Sequence, residues 1–99
     1  MRIQVNNEIE LNYELTGDPN TQPVIALTHG MGGSQANWEA DIPQLSERYA
    51  VLRWDVRGHG DSDKPDVPYS AEIHARDLAG LLEALDIRQV YCGGNSMGG

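Results

Sequence analysis

One cysteine in 99 residues rules out an internal disulfide, and the three histidines and Cys92 have no metal-ligand spacing, so no metal is expected. The seven Lys and Arg form no run and are outnumbered by 15 Asp and Glu. At a formal net charge of -8, a nucleic-acid backbone would meet net repulsion, which excludes that class of partner. No apolar run is long enough to span a bilayer, and residues 1–8 turn polar too soon to supply the apolar stretch of a signal peptide. A soluble, cytoplasmic protein without a membrane partner is the expectation. No G-x-G-x-x-G opens the first helix and no lysine stands in a P-loop pattern, which argues against a nucleotide-binding domain and leaves no organic cofactor implied. Repeats and low-complexity segments are absent. The length, with 39% hydrophobic residues, suits one small domain with a modest core.

The segment Glu8-Ile9-Glu10-Leu11-Asn12-Tyr13-Glu14-Leu15 alternates polar and apolar residues without a break, the pattern of a strand with one buried face. With residues 2–5 it predicts a β-hairpin, Asn6-Asn7 supplying the turn. Residues 16–23 are dense in turn formers, and residues 24–28 are apolar on both faces, as a buried parallel strand should be. Trp38, Ile42, Leu45 and Tyr49 fall on helical spacing, so a helix is expected over 38–49, with Pro43 tolerable in its first turn. Ser70 is a good N-cap for a helix in which Ile73, Leu78, Leu81, Leu82 and Leu85 recur through to Asp86. The expected order is hairpin, then strand-helix-strand-helix-strand.

Three strand-like runs each lead into a different Gly-rich turn. Val24-Ile25-Ala26-Leu27-Thr28 precedes His29-Gly30-Met31-Gly32-Gly33-Ser34, and Ala50-Val51-Leu52-Arg53-Trp54 precedes Asp55-Val56-Arg57-Gly58-His59-Gly60-Asp61-Ser62. Arg88-Gln89-Val90-Tyr91-Cys92-Gly93 precedes Gly94-Asn95-Ser96-Met97-Gly98-Gly99, which contains G-x-S-x-G. A serine on a sharp turn after a strand is the setting in which its hydroxyl becomes a nucleophile. Cys92, in an apolar run, reads as a small buried side chain rather than a reactive thiol.

Taken in order, these three turns resemble the α/β-hydrolase fold family, and the similarity runs along essentially the whole chain while covering only that family's N-terminal half. The resemblance implies an α/β fold in which a β-hairpin is followed by parallel strands alternating with helices. It implies Ser96 as nucleophile, and the backbone N–H groups of Met31 and Met97 as the oxyanion hole. His29 would orient the oxyanion loop by hydrogen bonding, the 55–62 loop would be a scaffold turn with His59 structural, and His74 would be a plain helix-face residue.

In that family the triad's acid and histidine follow the nucleophile, and three residues follow Ser96 here. Residues 1–99 are therefore expected to be the N-terminal part of a single domain, inactive or nearly so alone.

Serine at the elbow disfavours the dehalogenase and epoxide-hydrolase branches, leaving ester, lactone, thioester and carbon-carbon hydrolysis of a small carbonyl substrate. The elbow and the segment Gly33-Ser34-Gln35-Ala36-Asn37-Trp38 look like those of meta-cleavage carbon-carbon hydrolases, which makes Asn37 and Asn95 candidate substrate contacts beside the plainer reading of loop hydrogen bonding. The 53–62 segment and residues 84–87 look more like 3-oxoadipate enol-lactonases and carboxylesterases. A non-catalytic ligand-binding protein of the same fold is the alternative.

Overall fold

A computed structural model describes residues 1–29, 34–65 and 70–94. The two short strands β1 (Arg2–Val5) and β2 (Ile9–Thr16) form the expected antiparallel hairpin. Its tight turn places Asn6 and Asn7 both in the left-handed region, at φ 54° and 53°, and the Glu8 N–H donates to the Val5 carbonyl at 3.0 Å. Asparagine tolerates that conformation better than other side chains, which is why this pair directs the turn.

β2 then pairs antiparallel with β4 (Ala50–Trp54), β4 pairs parallel with β3 (Val24–Thr28), and β3 pairs parallel with β5 (Val90–Gly94). The sheet order is β1-β2-β4-β3-β5. This is the α/β architecture that the sequence predicts, with a leading hairpin and parallel strands joined by helical crossovers.

Helix α2 (Ala71–Ala84) joins β4 to β5. The Ser70 hydroxyl accepts from the Ile73 N–H, satisfying one of the donors a helix start leaves open. The helix ends two residues before Asp86. Asp86 takes φ 57°, its N–H donates to the Glu83 carbonyl, and the Ile87 N–H donates to the Leu82 carbonyl. Those two bonds are the left-handed helix stop usually built on glycine. Leu81 is fully buried in the core, with Leu78, Leu82 and Leu85 against it, facing Val24, Ala26, Leu52 and Trp54 of the sheet. Burying one leucine of this kind stabilises by about 1.5–3 kcal/mol.

The opposite face of the sheet is met by a 3₁₀ helix (Gln35–Asp41) followed by the four-residue α1 (Ile42–Leu45), not by one helix over 38–49. Pro43 is the cause. It lacks the N–H that would bond to residue 39, so it is accommodated in the first turn of α1 but an α-helix cannot run through it.

Cys92 is exposed, contrary to the buried position expected from its apolar run. Among the described strands β5 is paired only through β3, and Tyr91 beside it is also exposed. An apolar run is buried only where the fold covers it.

Candidate active site

Thr28 is in register with Trp54 on one side and with Gly94 on the other. The three parallel strands therefore end level, and the chain leaves β3 between its exits from β4 and β5. The carboxyl edge of a parallel sheet is where α/β proteins assemble ligand sites, because loops from neighbouring strands converge there. The sequence places the candidate residues just past two of these ends. Met31, Asn95, Ser96 and Met97 lie outside the described residues. Asn37 stands in the 3₁₀ helix, and its side chain is not among those described.

The described part of this edge is dominated by the loop after β4. The Asp55 carboxylate accepts from the Asn12 side-chain amide and from the Asp61 N–H, both at 2.9 Å. The Ser62 hydroxyl donates to the Asp55 carbonyl at 2.6 Å and accepts from the Asn12 N–H at 2.8 Å. Gly60 has φ 52°, and a Cβ there would lie 2.3 Å from the Asp55 carboxylate, so glycine is required on both counts. At the loop's far end the Glu10 N–H donates to Asp63, which also pairs with Arg2, and these contacts hold the Asp63 carboxyl below the usual carboxylate range.

Arg57 is fully buried and forms a two-pronged pair with Asp77 of α2, at 2.6 and 2.8 Å. It also reaches Glu8 at 3.2 Å, and Glu8 in turn accepts from Arg76. Bonding to Asp77 raises the proton affinity of the Arg57 guanidinium against the opposing effect of burial. The loop after β4 is thus tied to the hairpin on one side and to α2 on the other, as a scaffold turn should be.

The three histidines gather here. His29, fully buried at the end of β3, accepts through Nε2 from the Val56 N–H at 2.9 Å. Its ring lies 5.0 Å from that of His59, whose Nδ1 is 3.1 Å from the Arg57 carbonyl. His74 lies on the buried side of α2 rather than its outer face. Burial lowers its proton affinity, Asp77 opposes this, and His59, Arg57 and His29 add to the lowering. A second link joins the strand ends, from the Trp54 indole to the Thr28 hydroxyl at 2.9 Å.

Two supports escaped the sequence reading. Asn12 occupies a polar-face position of β2 yet is buried, because both its backbone and side chain serve the 55–62 loop. Asp77 shares the inner stripe of α2 with His74 and Leu81. A carboxylate three residues after one inward residue and four before another was the available sign of a buried cation. Among the described residues no group of three His, Cys, Asp or Glu side chains could hold a metal, and no helix is long and apolar enough to cross a membrane. A cavity of about 870 Å³ lies at the opposite sheet edge, lined in part by Pro19, Pro23, Gln89 and Tyr91, away from this site.

A hairpin feeding a parallel sheet in this strand order, with the cross-linked 55–62 turn at its carboxyl edge, defines an α/β protein of hydrolase type. The alpha/beta hydrolase fold family model matches residues 23–99, and the chain belongs to that family. It is similar to 3-oxoadipate enol-lactonase 2 of Acinetobacter baylyi, 33% identical over 92 residues, 93% of this chain and 34% of that protein. It is 40% identical over 82 residues to the 2-hydroxy-6-oxo-6-(2'-aminophenyl)hexa-2,4-dienoic acid hydrolase of Metapseudomonas resinovorans, covering 79% of this chain and 28% of the relative. The crystal structure of the enol-lactonase from Burkholderia xenovorans superposes with a TM-score of 0.93 at 35% identity, over 99% of this chain and 38% of that one. The chain spans 34%, 28% and 38% of the length of these three proteins.

Proposed function

We propose that this chain is the nucleophile-bearing part of a single α/β-hydrolase domain that cleaves a small carbonyl substrate by attack of the Ser96 hydroxyl. The Met31 and Met97 backbone N–H groups hold the developing oxyanion, and water then releases the acyl product. The observation that carries this reading is the level ending of β3 and β5 as neighbours, at Thr28 and Gly94, so that the segments bearing Met31 and Ser96 start side by side. Rate acceleration by such donors depends on their being held before reaction, which the cross-linked edge around His29, Val56, Asp55 and Asn12 supports.

The substrate class is an ester, an enol-lactone or a vinylogous 1,5-diketone. The two named relatives act on an enol-lactone and on a dienoic acid, and Asn37 and Asn95 are the proposed polar contacts to a substrate carboxylate or enolate. The reaction needs no metal or organic cofactor, and the protein works in the cytoplasm. The acid and histidine of a triad are not among residues 1–99 as read above, so the chain alone should hydrolyse little or nothing.

The test is fluorophosphonate labelling with mass mapping, together with an ester, enol-lactone and dienoate panel. In the full-length protein Ser96 is labelled and turnover disappears in Ser96→Ala, whereas the 99-residue chain labels at least about 100-fold more slowly. Turnover that survives Ser96→Ala would discard the serine mechanism.

A further inference from the structure

His29 directly follows β3 and immediately precedes the segment 30–33. Its Nε2 accepts a hydrogen bond from the Val56 N–H at 2.9 Å, in a fully buried setting. A nitrogen that accepts carries no proton, so the neutral ring must hold its one proton on Nδ1. A second proton on this ring could only go to Nε2, where it would face the Val56 N–H donor to donor. The bond would break and leave a buried amide without that partner.

Val56 is itself held in place. Asp55 before it is locked to Asn12 and Asp61, and Arg57 after it is locked to Asp77. Thr28 is held as well, by its register with Trp54 and Gly94 and by the Trp54 indole, so the group that moves when the bond breaks is His29 itself.

We propose that His29 is a pH-sensitive latch, which as the Nδ1–H tautomer fastens the first residue after β3 to Val56 and on taking up a second proton releases it. Resting on the serine-hydrolase reading, this makes His29 a positioning residue for the loop that carries the Met31 N–H, and it gives the site a loss of activity in acid that is separate from protonation of any catalytic base. The groups facing it oppose one another. Among the described residues His59 of the β4 loop lies 5.0 Å away between ring centres and His74 of α2 is near enough for the two rings to repel when charged; Arg57 and Asp77 act on the same His74, and Asp55 directly precedes Val56. Arg57, and His59 or His74 when charged, resist protonation of His29, while Asp55 and Asp77 favour it, although each carboxylate is already engaged. β2 contributes the neutral Asn12.

Two-bond proton–nitrogen spectra of the imidazoles, recorded with amide exchange at Val56 during an acid titration, test the latch directly. The expected result is the Nδ1–H tautomer of His29 at about pH 8, with faster Val56 exchange setting in at the same midpoint as His29 protonation. The Nε2–H tautomer, or Val56 protection unchanged through that midpoint, would overturn the proposal.

The kinetic arm uses the full-length enzyme. Glutamine can set its side-chain oxygen where Nε2 stands and cannot be protonated, whereas asparagine is too short to reach. His29→Asn should lower kcat about 10- to 100-fold with KM nearly unchanged, and His29→Gln should restore kcat while extending activity to lower pH. Wild-type kcat in His29→Asn, or an unshifted acid limb in His29→Gln, would overturn the positioning role. Spectra that show the latch in a protein without Ser96-dependent turnover would sink the hydrolase reading and leave the latch standing.

Discussion

The loop after β4 and the strand β5 lie on the same sheet and differ sharply in how they are held. The 55–63 loop is anchored by contacts from β1, β2, α2 and His29 just after β3, and the bonds to the carboxylates of Asp55 and Asp77 are buried and charge-assisted. Among the described strands β5 is paired only through β3, with Tyr91 and Cys92 exposed. The rigid loop carries no proposed chemical step, and the open strand leads to the proposed nucleophile. Strength has been placed around the proposed site, in the frame beside the proposed oxyanion loop, because a preorganised donor must be fixed before the reaction while its holder need not touch substrate.

The sharpest way to break this contrast is to remove the buried cation. Arg57→Ala leaves Asp77 charged and desolvated, and should cost about 3–5 kcal/mol, read as a lower midpoint in urea denaturation. A loss below about 1 kcal/mol would mean that the pair is not a principal tie of the loop.

A middle-sized effect tests the histidine side of the frame through pH. Burial lowers the proton affinity of His74 in the folded state, so between its folded value and the ordinary value of about 6.5 the unfolded chain binds a proton that the folded chain does not. Stability should be full above that window and fall as the pH drops through it, by about 1.4 kcal/mol for each pH unit of the window. His74→Gln should flatten this part of the stability profile, and an identical slope in the variant would assign the dependence elsewhere.

The smallest effect is at the open strand. Cys92→Ser should change stability by less than about 0.5 kcal/mol, and the native thiol should react with a maleimide as fast as it does in urea. Protection of Cys92 in the native protein would show that β5 is covered after all.

The sequence was informative wherever structure follows from neighbours along the chain. Asn6-Asn7 marked the hairpin turn, Ser70 marked the start of α2, and the all-apolar run at 24–28 marked a buried parallel strand. It was less informative at residues 38–49, where the spacing of Trp38, Ile42, Leu45 and Tyr49 suggested one helix although Pro43 divides it. The candidate site was proposed from residue types at the ends of strands, and Met31, Asn95, Ser96 and Met97 lie outside the described residues. The described framework around it was not legible, because Asn12 and Ser62, or Arg57 and Asp77, are far apart in sequence and have no periodicity in common.

The sequence by itself determined the hairpin, the three parallel strands, α2 and their order, because backbone preference, capping and hydrophobic period are properties of adjacent residues. Only the tertiary structure decided that β3 lies between β4 and β5, that Cys92 faces outward, that His74 and Asp77 face inward, and that His29 is fastened to Val56. These depend on which strand lies beside which, and pairing across the sheet is settled by total burial and hydrogen bonding rather than by local pattern.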